Sequence, residues 1–139
     1  MFIIRTFLDS DIEEIISLWE LSGLTRPFSN PEIDIFRKTA QKDDLFLVAV
    51  KDEQPIATIM GGYDGHRGSI NYLAVHPHYQ RNGVATALIQ QLEKRLTALG
   101  CPQIQLLIHK EDIDVSNFYE QLGYDEKDFI CLAKQLIRD

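Results

Sequence analysis

The chain has 139 residues, 45% hydrophobic and 25% charged, which suits one globular domain over residues 1–139 and argues against an intrinsically disordered chain. Lys plus Arg number 14 and Asp plus Glu 21, a formal net charge of −7; that excludes the basic footprint of sequence-independent nucleic-acid binding and mildly favours cationic partners. No apolar run nears the roughly 20 residues of a membrane span, and Met1–Leu8 lacks the basic leader and cleavage site of a signal peptide.

Residues 2–8 are β-branched and aromatic and predict a first strand. Ser10 and Glu13 carry a capping-box signature for a helix with Ile12, Ile15, Ile16 and Trp19 on one face, stopped by Gly23. Trp19 is read as core. Residues 24–29 form a loop holding Arg26-Pro27-Phe28, and Asn30-Pro31 caps a second helix that fades near Gln41. Strands follow at Leu45–Val50, Ile56–Tyr63 and Ser69–Val75, the last two joined by turn chemistry at Asp64–Gly68. The longest helix runs from about Asn82 to Leu99, with Val84, Leu88, Leu92, Leu96 and Leu99 as its stripe, and ends at Gly100 and Pro102. Ile104–Ile108 predicts a strand, residues 112–121 a shorter helix, and Phe129–Leu136 a last strand, with Tyr124 as a candidate short one. This order implies an α/β (α+β) domain: a mixed, mostly antiparallel sheet flanked by about four helices.

Cys101 and Cys131 fit neither a disulfide framework nor zinc spacing, so two reduced thiols in a cytoplasmic protein are expected. Cys131 sits in an apolar stretch and reads as a buried small hydrophobe. His66, His76, His78 and His109 form no ligand set, and no metal is expected.

The chemistry concentrates at Leu73-Ala74-Val75-His76-Pro77-His78-Tyr79-Gln80-Arg81-Asn82-Gly83-Val84-Ala85-Thr86. A strand ends, a loop follows, and a long helix opens at a lone glycine. Free amides and the positive end of the helix dipole then share one mouth, where phosphate binds well. Gly83 permits close approach of a ligand, and Arg81 can add a charge-assisted contact. An ordinary capped helix has the same N-terminus, so this reading stands beside a purely structural one. No GxxxxGK[ST] and no GxGxxG after a strand is present.

Gln80-Arg81-Asn82-Gly83-Val84-Ala85 fits the acetyl-CoA loop pattern (Gln/Arg)-x-x-Gly-x-(Gly/Ala). With Leu73-Ala74-Val75-x-Pro77 before it and Phe118-Tyr119-Glu120-Gln121-Leu122-Gly123-Tyr124 after it, the chain resembles the GNAT N-acetyltransferases over essentially its whole length. Within them it resembles the short bacterial YpeA-type members, through Trp19, Arg26-Pro27, Gly61–Gly68 and Gly100-Cys101-Pro102. The resemblance implies acetyl transfer from acetyl-CoA, a co-substrate, to a primary amine by direct attack. Amides of Arg81 to Thr86 would hold the pyrophosphate; Leu73, Ala74 and Val75 would pair with pantetheine, with the Val75 N–H on the thioester carbonyl. Tyr119 would donate a proton to the departing thiolate.

Two departures stand out. Asp112 occupies the place where many members carry a cofactor-contacting Asn, with Asn117 near by. The strand before the loop carries Ser69 and Asn71 on one face, neither a base, with Tyr72 expected on the opposite face. Glu32, Asp34, Asp64 and Glu111 are therefore candidate bases, beside a route through water, and Arg26 a candidate reader of an acidic acceptor. The acceptor would be a small-molecule or peptide amine. A homodimer is an expectation from the family, with no interface specified. A non-catalytic acyl-CoA sensor is the alternative, motivated by the missing base and by Asp112.

Overall fold

The computed structural model describes residues 1–24 and 30–138. The chain forms two compact units, Met1–Leu106 and Leu107–Asp139. The first unit holds a five-stranded mixed sheet in the order β1 (Ile3–Thr6), β2 (Phe46–Lys51), β3 (Gln54–Tyr63), β4 (Gly68–Val75) and β5 (Ile104–Gln105). Neighbours are antiparallel except β4 and β5, which run parallel. Three helices join it: α1 (Ile12–Leu21), α2 (Pro31–Thr39) and α3 (Val84–Ala98). The second unit holds α4 (Ile113–Gln121). The expected α/β class with a mixed, mostly antiparallel sheet is what the structure shows. No helix among the described residues is long and apolar enough to cross a membrane.

Alternation of side chains along the strands assigns each face a helix layer. Met60 joins Trp19, Ile15 and Leu18 of α1, Ile35 of α2 and Phe46, Val48 and Ala74 in one buried cluster. The next residue, Gly61, faces the other way: a Cβ there would collide with Leu92 of α3. Asn30 caps α2 as expected, its Oδ1 accepting the Ile33 N–H at 3.2 Å. The start of α1 differs from the expected box. A short 3-10 turn, Asp9–Asp11, comes first, and it is Asp11 that accepts the Leu8 N–H (2.9 Å) and a two-pronged bond from Arg5 (2.7 and 2.8 Å). A two-pronged, charge-assisted bond from the guanidinium fixes the Asp11 carboxylate at this turn.

One irregularity in the sheet concerns the site directly. Thr58 pairs with Ala74 and Met60 with Asn71, so Ile59 alone opposes Tyr72 and Leu73. This is a β-bulge, and Tyr72 takes φ +48° in it, the left-handed region that bulky residues avoid. The extra residue breaks the expected alternation. Ser69 and Gly62 are paired, and a Cβ at Gly62 would lie 2.9 Å from Ser69 Oγ and 3.7 Å from Nζ of Lys38 on α2. Tyr72 stacks on Trp19 of α1 and bonds Asp34 of α2. Ser69 and Tyr72 thus share the α1/α2 face, and the expectation of opposite faces is corrected.

The second unit departs further from expectation. Residues 129–136 form no strand, nor does Tyr124. Phe129, Ile130, Leu132 and Leu136 are 79–90% exposed, and Cys131 is exposed rather than buried. A strand exists through its ladder, and among the described residues no segment pairs with this one. Similarly, the strand expected over 104–108 holds only its first two residues.

Candidate active site

The loop leaving β4 is held by bonds to β3, to β4 and within itself. The His76 N–H donates to Ile56 O, the Tyr79 N–H to His76 O, and Gln80 Nε2 to Val75 O at 3.3 Å. Arg81 has φ +67° and Gly83, at the N-cap of α3, φ +77°. The first helical bond here runs from the Ala87 N–H to Gly83 O, so the amides of Val84, Ala85 and Thr86 precede the helical ladder. They lie at the positive end of a 15-residue helix. Left-handed residues in such a turn gather N–H groups into an anion-binding concavity. A Cβ on Gly83 would meet nothing within 4 Å, so the glycine is required by its φ and leaves open space above it. Gln80, Arg81, Asn82 and Gly83 are exposed, while Val84 is buried beneath them.

The adjoining edge of β4 is built for a second kind of contact. His76 and Ile56 face each other as a hydrogen-bonded pair, so by antiparallel alternation Val75 and Ala57 form the non-bonded pair next to it. The Val75 N–H and C=O therefore point away from β3. On that side β5 pairs with β4 at Gly68 and Ser69, leaving residues 70–75 without a strand partner among the described residues. A strand edge with free amides lies beside a helix N-terminus, and an extended, amide-containing arm bearing phosphates fits both.

The candidate bases separate by environment. Asp64 Oδ1 accepts the His66 and Arg67 N–H groups at 2.7 Å each; those bonds hold its carboxyl below the ordinary range and commit it to the turn. Glu111 is 90% exposed beside His109. Glu32 lines a groove of about 390 Å³ with Ile12, Ile33 and Phe36, which contains none of the loop or β4 residues. Asp34 receives the Tyr72 hydroxyl at 2.5 Å. Burial, followed by the Asp34 carboxylate, pushes the Tyr72 phenol well up, so it stays protonated. Arg26 lies outside the described residues.

In the second unit Tyr119 is 4% exposed, packed edge-on against Phe118 and Tyr124. Burial pushes its phenol well up. Its carbonyl accepts the Leu122 and Tyr124 N–H groups, closing α4 at Gly123 with φ +93°. Asp112 is the exposed N-cap of α4 with no side-chain cap bond, and Asn117 is exposed on the same helix.

The acetyltransferase (GNAT) family model matches residues 12–124. This chain belongs to the GNAT acetyltransferase family. The GNAT fold is matched also by solved structures. Ard1 from Thermoplasma volcanium superposes with a TM-score of 0.79 at 22% identity, covering 91% of this chain and 84% of that one. Glucosamine-6-phosphate N-acetyltransferase from Arabidopsis thaliana gives 0.73 at 22%, covering 99% of each. AAC(6')-Iy, in complex with the bisubstrate analog CoA-S-monomethyl-acetylneamine, gives 0.73 at 16%, covering 99% of each. As a GNAT protein the chain is an N-acetyltransferase, and the loop and β4 edge fit acetyl-CoA in kind.

What the motifs of this GNAT chain did not disclose is Tyr72. A bulge needs no glycine when neighbours hold it. One signal was present: Thr58 is a polar residue in the buried run Ile56–Met60, and such a residue needs partners. Its Oγ1 takes the Trp19 indole N–H (2.9 Å) and donates to Tyr72 O (2.8 Å).

Proposed function

We propose that this GNAT enzyme transfers an acetyl group from acetyl-CoA to the primary amine of a small molecule or peptide by direct attack. The observation that carries it is the left-handed Gly83 cap of α3 next to the outward Val75 N–H, on the part of the β4 edge that has no strand partner among the described residues. Acetyl-CoA supplies an activated acyl group as a thioester. Amides from Arg81 to Thr86 bind its phosphates, aided by the helix dipole. The backbone of Leu73, Ala74 and Val75 aligns the arm as an added strand, and the Val75 N–H polarises the carbonyl where charge develops. Tyr119, packed edge-on against Phe118 and Tyr124, donates a proton to the departing thiolate. Neither free cysteine has a place in this scheme, consistent with direct attack. On the motifs given above we read the chain as a short YpeA-type member.

Calorimetric titration with acetyl-CoA, followed by thiol release over an amine panel, tests this. Micromolar binding is expected for the wild type. Gly83→Val should abolish it, because a β-branched residue resists φ +77° and fills the space above the amides. Tyr119→Phe should bind normally and turn over at least roughly tenfold more slowly. Binding that survives Gly83→Val would place the cofactor elsewhere, and tight binding without turnover on any amine would make the chain a sensor.

A further inference from the structure

The strained residue of the sheet and the carboxylate it holds point toward the acceptor. Left-handed backbone at a bulky residue is strained and persists only where surroundings over-determine it. Tyr72 is fixed three ways: its ring stacks on Trp19 at 3.7 Å with planes 10° apart, its carbonyl takes the Thr58 hydroxyl, and its own hydroxyl donates to Asp34 Oδ2. A regular β4 would send this side chain to the α3 face; the bulge brings it to the α1/α2 face. It does so at the residue directly before Leu73–Val75, the segment assigned to the acyl donor. A carboxylate can accept about four hydrogen bonds, so one phenol orients Asp34 without saturating it. Both groups are only part-buried and reachable from solvent.

We propose that Asp34, aimed by Tyr72, is a specificity-determining group that draws a cationic acceptor amine to the transfer edge of β4, with Tyr72 as its positioning residue. This rests on the acetyltransferase reading and narrows its acceptor to cationic amines. An ammonium pairs with a fixed carboxylate through charge-assisted bonds, and the net charge of −7 adds attraction at long range.

The test is calorimetric titration of the CoA-loaded protein with spermidine as a cationic probe. Asp34→Asn should weaken spermidine binding by roughly tenfold or more and Tyr72→Phe by roughly threefold, both with unchanged acetyl-CoA affinity. Tyr72→Phe keeps the stack and removes only the hydroxyl, so its effect reads aim rather than folding. Glu13→Gln, on the exposed side of α1, should leave spermidine binding unchanged. Absent spermidine binding, equal binding by Asp34→Asn, or an equal loss in Glu13→Gln overturns the proposal. Failure of the wild type to bind acetyl-CoA or CoA would instead overturn the acetyltransferase reading beneath it.

Discussion

Two segments of similar apolar character meet opposite fates. Phe46-Leu47-Val48-Ala49-Val50, in the first unit, is at most 8% exposed throughout. Phe129-Ile130-Cys131-Leu132, in the second, lies open, with Ile130 at 87% and Leu132 at 90%. The first lies between β1 and β3 and pairs with both; the second has no ladder in its unit. Apolar sequence makes burial favourable, but a strand's amides also need partners, and only the first segment has them. Hydrophobic content alone is therefore a poor guide to where the stability of this chain resides.

That contrast can be broken by experiment. Trp19→Ala, at the centre of the first unit, removes a side chain with no exposed surface, a ring stack and the bond to Thr58. It should cost about 3–5 kcal/mol in urea unfolding, and a loss below about 1 kcal/mol would show that the cluster is loosely packed. Asp11→Asn should cost less, roughly 1–3 kcal/mol at neutral pH. Burial pushes the Asp11 carboxyl up, but the bonds from Arg5 and the Leu8 N–H outweigh it and leave it below the ordinary range. Its contribution is therefore full above the ordinary carboxylate value near 4 and is lost as pH falls through the lower folded value. The wild-type advantage over Asp11→Asn should accordingly shrink in acid; an advantage constant from pH 7 to pH 2 would sink this assignment. Leu132→Ser should change stability by no more than about 0.5 kcal/mol. If it costs as much as Trp19→Ala, the segment is covered in solution and the contrast between the two units collapses.

How far the sequence could be read follows from the physics of each feature. The Gly83 loop was legible because a left-handed turn at a helix N-terminus favours glycine, and Asn30-Pro31 because a cap is a local event. The pairing of Arg5 with Asp11 spans six positions and a turn, so a local capping rule chose Ser10 and Glu13 instead. Lys42-Asp43-Asp44 has the charged composition common to solvated turns, yet Asp43 holds the Nζ of buried Lys38 at 2.7 Å. Tyr72 was misassigned because strict alternation holds only where the two strands of a ladder keep step. The strand at 129–136 was expected from residue type alone, and residue type cannot supply a neighbour.

The bulge in β4 has one further consequence. Between their pairings at Thr58 and Met60, β3 contributes a single residue where β4 contributes two. The facing of Ser69 and Tyr72 toward the same helices thus follows from the count of residues in the ladder, which the contacts of Tyr72 then hold. Exchanging residues along β4 alters what is presented; inserting or deleting one residue there alters to which side everything beyond it is presented. For anyone reshaping this enzyme, strand length is a separate control, coarser than any substitution.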